Sequence, residues 1–257
     1  MDLAREEVAT AVFSTLPLKR HGFAFAAKRD FRDLLRMRYG LPIPNLPQRL
    51  DHSQVCSTGG FIHMRHDEPK NLWASESKKV FRDVEVEPKL QPLSGERMRH
   101  KTANVSDDAR SDVRVGGFWG NSQSAFFEFR VFYPHAQSYA DKKLDAVYHS
   151  IVQSRKRQYE ERINVVDSGC FTPMVMASTG GMAAEMSKAL KHLAQEQSSK
   201  LGEAYSVSIS VLRCKFAFCM ARCALRCLRG SRAVRSGPSS DDGSVLIAAE
   251  ARINRRW

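Results

Sequence analysis

Residues 109–135 read ARSDVRVGGFWGNSQSAFFEFRVFYPH and contain two runs of β-forming residues joined by a glycine-rich connection. Side chains alternate between the two faces of a strand, so Glu128 and Arg130 point one way while Phe129 points the other. If the two runs pair as a hairpin, Asp112 at the start of the first strand approaches Glu128 in the middle of the second. The stretch therefore predicts a β-hairpin in which two carboxylates converge at the edge of a sheet.

The rest of the chain alternates helical and strand-like segments around this hairpin. Strands are predicted near residues 84–93, 112–115, 125–133 and 171–177, and we expect all of them in one sheet. Helical periodicity is found near residues 2–15, 28–40, 67–82, 136–164, 183–199 and 204–228. This order is typical of an α/β or α+β fold with a mixed β-sheet flanked by helices.

The charge balance indicates a polyanionic partner. The chain of 257 residues has 40 Lys and Arg against 28 Asp and Glu, which gives a net charge of +12. Nucleic acid is the commonest partner of so basic a protein, although a basic surface that binds nothing is the alternative. Charged residues interrupt the N-terminal region and the most apolar segment, 207–228, so neither a secretory signal nor a membrane span is predicted. We expect an intracellular protein that acts in the nucleus, with no membrane partner.

The two carboxylates of the hairpin indicate a cation site. Asp112 and Glu128 would repel each other at a shared edge unless a cation joined them, and Mg²⁺ prefers carboxylate and phosphate oxygens. A base on the same face, Arg130, would offset negative charge on a phosphate. Such an arrangement suits metal-dependent phosphodiester cleavage. The same spacing also fits a solvated strand face with a cross-strand ion pair, and this structural alternative stays open.

Several stretches, taken together and in order, resemble a known family. They are HGFAFAAKRDFRDLLRMRYGLPIPNLPQ, CSTGGFIHMRHDEPKNL, EVEPKLQPLSGE, ARSDVRVGGFWG, AFFEFRVFYPHA, GCFTPMVMASTGGM and LRCKFAFCMARCALRCLRGSR. Together they resemble the region that follows the reverse transcriptase in retrotransposon-derived polyproteins of animal genomes, over roughly residues 18–232. In that region a Cys/His zinc knuckle precedes a restriction-like endonuclease of the PD-(D/E)xK type.

The resemblance implies that residues 61–229 form a restriction-endonuclease-like domain that nicks target DNA with Mg²⁺. Asp112 stands at the family's first catalytic Asp and Glu128 at the acid of its second motif, so these two would hold the metal. Arg130 stands at the basic position of that motif, where Lys is typical. An Arg stays protonated near neutral pH, so it can offset charge but cannot transfer a proton.

Further cations are expected to contact nucleic acid. Arg65 and His66 resemble the family's Arg-His element, and the alternative is an exposed helix start with Asp67 as N-cap and Pro69 in the first turn. Glu76 could supply a third carboxylate, although a solvated helix face is the alternative. The expected nucleic-acid-binding set is Arg65, His66, Arg110, Arg155 and Lys156.

The N-terminal part, residues 1–60, is predicted to be a helical segment that contains the remnant of the zinc knuckle. Only His52 and Cys56 remain of its ligands, and two ligands do not close a structural zinc site. We therefore expect no structural zinc and an irregular chain over residues 41–60. Residues 230–257, rich in Ser, Gly, Asp and Arg, are predicted to be a disordered basic tail.

Three functions fit these features. The first is a Mg²⁺-dependent DNA endonuclease-like domain of retroelement origin, active or decayed. The second is a remnant that binds DNA or RNA without catalysis. The third is a basic interaction protein in which Asp112, Glu128 and Arg130 are structural. The oligomeric state and the target sequence are not determined by the sequence.

Overall fold

The computed structural model describes residues 28–39, 41–46, 50–56 and 59–230. Within these residues the helices are α1 (Lys28–Arg38), α2 (Leu50–Val55), α3 (Phe61–Lys78), α4 (Leu144–Val165), α5 (Ala184–Leu201) and α6 (Tyr205–Arg229). The strands are β1 (Val84–Val86), β2 (Val113–Gly116), β3 (Ser124–Phe132) and β4 (Cys170–Ala177), and a short 3-10 turn covers Gln137–Tyr139. The predicted helix at 2–15 and all but the first residue of the predicted tail lie outside the described residues.

One sheet holds the four strands in the order β1-β2-β3-β4. The β1–β2 and β2–β3 pairs are antiparallel, and the β3–β4 pair is parallel. Helix α4 connects β3 to β4 and forms the crossover that a parallel pair requires. The prediction of one mixed sheet flanked by helices is therefore confirmed, and the β2–β3 hairpin lies at its centre.

Strand β3 lies inside the sheet, and each of its faces carries buried aromatic side chains. Phe127 and Phe129 are buried on one face, while Phe126 and Phe132 are buried on the other. The first face packs against α3, α5 and α6, and the second packs against α4. Burying each aromatic side chain stabilises the fold by about 1.5–3 kcal/mol, so this strand fixes the position of everything it carries.

The first strand is shorter than predicted. It ends at Val86 instead of residue 93 because Glu87 has a φ of 55°, a left-handed conformation that an extended strand cannot contain. An isolated bridge between Lys89 and Arg110 continues the pairing beyond this interruption. The bounds of the other three strands agree with the prediction to within one residue.

Helix α3 begins earlier than predicted, and the proposed N-cap at Asp67 is wrong. The helix starts at Phe61, directly after Gly60, whose φ of 73° lets the chain turn into the helix. Pro69 is buried inside the helix rather than in its first turn. Because proline has no N–H, the carbonyl of Arg65 loses its usual helical partner there.

The N-terminal segment is docked on the last helix. The Asp33 carboxylate on α1 is fully buried, and its Oδ2 lies 2.6 Å from Nη2 of Arg229 at the end of α6. Residues 41–60 are not irregular throughout as predicted, since α2 occupies Leu50–Val55. The proposed domain boundaries at residues 60 and 229 stay predictions. Among the described helices, none is both long enough and apolar enough to cross a membrane.

Candidate functional site

Asp112 lies at the end of the pairing between β2 and β3. It directly precedes β2, and the Val113–Phe127 pairing places it opposite Glu128 in the register. Its Oδ2 accepts a hydrogen bond of 2.6 Å from the backbone N–H of Phe129, so the carboxylate takes the place of the strand partner that β3 lacks beyond this point. The backbone N–H of Asp112 donates to the Glu128 carboxylate. The two acidic side chains therefore meet at one edge of the sheet.

His66 joins this pair from helix α3. Its Nε2 lies 3.0 Å from Oδ1 of Asp112, so both oxygens of that carboxylate are engaged. The early start of α3 makes this contact possible, because His66 is then in the second turn of an established helix rather than ahead of it. The structure thus adds His66 to the cluster through Asp112, which contacts both His66 and Glu128.

Glu128 is buried, and it is the most electrostatically perturbed carboxylate of the cluster. Burial and, to a lesser degree, the charge of Asp112 raise its pKa to about 8. The Arg155 guanidinium and a hydrogen bond from the Tyr159 hydroxyl act in the opposite direction. A divalent cation would favour the ionised form of Glu128 and offset the repulsion by the charge of Asp112.

Tyr159 and Asn104 belong to this site, although the sequence did not predict them. Burial and the charge of Glu128 raise the pKa of Tyr159 to about 12, so its hydroxyl stays protonated and donates to Glu128. The Asn104 side chain hydrogen-bonds the same hydroxyl. The spacing of Arg155 and Tyr159, four residues apart on a helix, is a signal for a shared face. Asn104 is far from both in the sequence, and only the fold brings it there.

Arg130 is exposed, and the alternation of the strand puts it on the same face as Glu128. Its charge acts on Arg65, whose pKa is lowered chiefly by burial and further by this neighbour. Arg65 itself is buried, and its Nη1 donates to the carbonyl of Gln54 at 2.8 Å. The alternative of an exposed helix start at Arg65 is therefore wrong, and the positive charges of Arg65 and Arg130 act on each other.

The other predicted cations are dispersed. Arg155 faces Glu128, and its Nε is buried with no hydrogen-bond partner among the described residues. Lys156 is paired with Glu185 at 3.2 Å. Arg110 is exposed and donates to the carbonyl of Glu87 at 3.3 Å. Of these three, only Arg155 reaches the carboxylate pair.

Glu76 is neither a third carboxylate of the cluster nor a solvated residue. It is buried between α3 and α6, where Lys215 contacts Oε1 at 2.7 Å and Lys79 contacts Oε2 at 2.9 Å. Burial alone would raise its pKa, but the hydrogen bonds from Lys215 and Lys79 hold the pKa below its ordinary value. Glu76 therefore stabilises the packing of the two helices.

The remnant knuckle residues lie at the end of α2. His52 is exposed and Cys56 is half-buried. In the described parts of the chain, no group of three or more His, Cys, Asp and Glu side chains is arranged to hold a metal ion. Mg²⁺ commonly uses one or two protein carboxylates and completes its coordination with water and substrate phosphates, so the pair of Asp112 and Glu128 fits that ion.

Comparison with known proteins gives no match for this chain, either among family models or among curated proteins.

Proposed function

We propose that this chain is a Mg²⁺-dependent endonuclease-like domain of retroelement origin that binds and nicks DNA in the nucleus. The convergence of Asp112 and Glu128 at an open strand edge is the observation that supports it most. The parallel β3–α4–β4 unit beside the β2–β3 hairpin agrees with a restriction-endonuclease-like core. The net charge of +12 agrees with a polyanionic substrate.

Each residue of the cluster has a distinct part in this proposal. Asp112 and Glu128 would hold Mg²⁺, which supplies Lewis-acid chemistry at a scissile phosphate when bound. The Phe129 N–H and His66 fix the orientation of the Asp112 carboxylate. Arg155 and the Tyr159 hydroxyl favour the ionised form of Glu128, which is the form that binds a metal.

The basic side chain of Arg130 would bind the phosphate. Arg130 is exposed, so its guanidinium can approach a phosphoryl oxygen without leaving water first. A guanidinium in that position offsets the charge that develops on the phosphoryl oxygens in the transition state. Arg65 is buried, and its positive charge and that of Arg130 act on each other.

Nicking of supercoiled plasmid with and without Mg²⁺ tests the proposal. We expect the wild type to relax the plasmid only with Mg²⁺, and a loss of at least about 100-fold in Asp112→Asn and Glu128→Gln. Asp108→Asn is the matched control, because Asp108 is an exposed carboxylate paired with Lys89 outside the cluster. Nicking that persists in both cluster variants, or that needs no divalent cation, would refute the proposed site.

A second function is binding of DNA or RNA without catalysis. The presence of Arg at position 130 favours it, because Arg cannot take a proton-transfer part near neutral pH. The contact between His66 Nε2 and Asp112 also occupies one of the carboxylate oxygens that a metal would otherwise bind. Salt-sensitive DNA binding together with plasmid that stays intact in Mg²⁺ would establish this second function. A protein that shows neither binding nor nicking would be the basic interaction protein.

A further inference from the structure

The segment between β1 and β2 lies against the outer side of α4, and we call its residues 91–106 the strap. Its anchor is Arg162, a fully buried side chain of α4. The Arg162 guanidinium donates to the backbone carbonyls of Gln91, Asn104 and Ser106, each at 2.8 Å. Because these bonds join both ends of the strap to one buried group, the strap has a defined position on the helix.

Two further hydrogen bonds hold the strap along α4. The backbone N–H of Asn104 donates to the carbonyl of Gln158 at 2.9 Å. The backbone N–H of Arg99 donates to the Glu161 carboxylate at 2.9 Å. The carboxylate of Glu161 is thus engaged in holding the strap, and the middle of the strap is fixed as well as its ends.

A groove of about 350 Å³ lies between the strap and α4. Arg99 and His100 line it from the strap, and Lys156, Arg157, Glu160 and Glu161 are among the α4 residues that line it. The rim of the groove is basic on the strap side, because Arg99 and His100 lie there and residues 97–106 include no acid. The strap's basic side chains are Arg97, Arg99, His100 and Lys101, all exposed, and its one acid, Glu96, accepts hydrogen bonds from Ser94.

The groove is close to the carboxylate cluster. Arg155 and Tyr159 reach Glu128 from one side of α4, while the neighbouring Lys156 and Arg157 line the groove. The two places are therefore separated by about the width of one helix, roughly 10 Å.

We propose that the groove between the strap and α4 binds backbone phosphates of the DNA that lies at Asp112 and Glu128. The inference rests on the proposed function in taking DNA as the ligand, but it does not require cleavage. The Arg99 Nε lies 3.5 Å from the Glu161 carboxylate, but the side chain is 90% exposed, so its guanidinium can also contact a phosphate while it stays in water. Exposed guanidinium and ammonium groups on a fixed backbone give sequence-independent phosphate contacts.

Fluorescence anisotropy with a labelled duplex of about 30 base pairs, in EDTA and over a salt series, tests the groove. The strap variant is Arg97→Gln, Arg99→Gln and Lys101→Gln combined. The matched control removes the same charge from exposed residues elsewhere, with Arg82→Gln, Lys142→Gln and Lys143→Gln. We expect the strap variant to bind about tenfold more weakly, with a salt slope lower by about 0.9 for each phosphate that the strap no longer neutralises. The control variant should keep its affinity to within about twofold.

The outcomes separate the groove from the nuclease. Equal reductions of affinity in the strap and control variants would overturn the groove and indicate diffuse attraction to the whole surface. A strap-dependent reduction in a protein that does not nick plasmid would support the groove and refute the catalytic function. Nicking by the wild type with unchanged binding in the strap variant would overturn the groove alone. Failure of the wild type to bind the duplex would overturn both.

Discussion

Glu128→Gln should stabilise the fold at alkaline pH, because the Glu128 carboxylate is buried. Burial first, and the charge of Asp112 second, raise its pKa from 4.5 to about 8. The folded state thus binds this proton more tightly than the unfolded state does. The stability from the protonated group is fully present below about pH 4.5 and is lost as the pH rises towards 8.

The size of the effect follows from the difference between the two pKa values. The 3.5 pH units between 4.5 and about 8 correspond to roughly 5 kcal/mol, at 1.36 kcal/mol per unit. Relaxation of neighbouring side chains and entry of water reduce this difference in free energy. We therefore expect Glu128→Gln to be more stable than the wild type by about 2 kcal/mol at pH 9. At pH 4 the two proteins should have nearly equal free energies of unfolding.

Urea denaturation followed by circular dichroism, in EDTA at pH 4, 7 and 9, measures this difference. Glu196→Gln is the control, because Glu196 is a half-exposed carboxylate on α5, outside the cluster. The control should show no comparable change with pH. A Glu128→Gln variant that is less stable than the wild type at pH 9, or a stability difference independent of pH, would refute the account of the buried carboxylate pair.

The remaining predictions concern packing and catalysis. Asp33→Asn should lower the free energy of unfolding by about 3 kcal/mol, because it leaves Arg229 without its buried partner, and thermal or urea denaturation would check this. Gly169→Ala should lower the free energy of unfolding by about 2 kcal/mol in the same assay, because the new Cβ would lie 2.5 Å from the Phe126 ring. A variant as stable as the wild type would contradict this packing. Arg130→Lys should raise the rate of Mg²⁺-dependent plasmid nicking by about tenfold, because Lys can transfer a proton where Arg cannot. An unchanged or lower rate would argue against proton transfer by the residue at position 130.

The hairpin could be predicted because its signals are local. Alternating aromatic and polar residues in β3, and the glycines before it, specify a strand and a turn without reference to the rest of the chain. The relation between Glu128 and Arg130 follows from the same alternation. The start of α3 could not be predicted in this way, since Pro69 is typical of a first turn and only the packed structure places it inside a helix.

The composition of the site depends on contacts between distant residues. His66 meets Asp112 across 46 positions, and Asn104 reaches Tyr159 only because Arg162 holds the strap on α4. The prediction for Glu76 is wrong for the same reason, because its partner Lys215 is 139 positions away. Charge pairs of this kind leave no periodic pattern in the sequence, so the structure was needed to find them.

Binding of Mn²⁺, followed by electron paramagnetic resonance as a substitute for Mg²⁺, tests most directly whether Asp112 and Glu128 form a metal site. The account predicts about one bound Mn²⁺ per wild-type chain in the presence of duplex DNA, and an affinity lower by at least about tenfold in Asp112→Asn. The control Asp108→Asn should bind as the wild type does. Equal Mn²⁺ binding by the wild type and Asp112→Asn, or no binding by the wild type, would contradict the account.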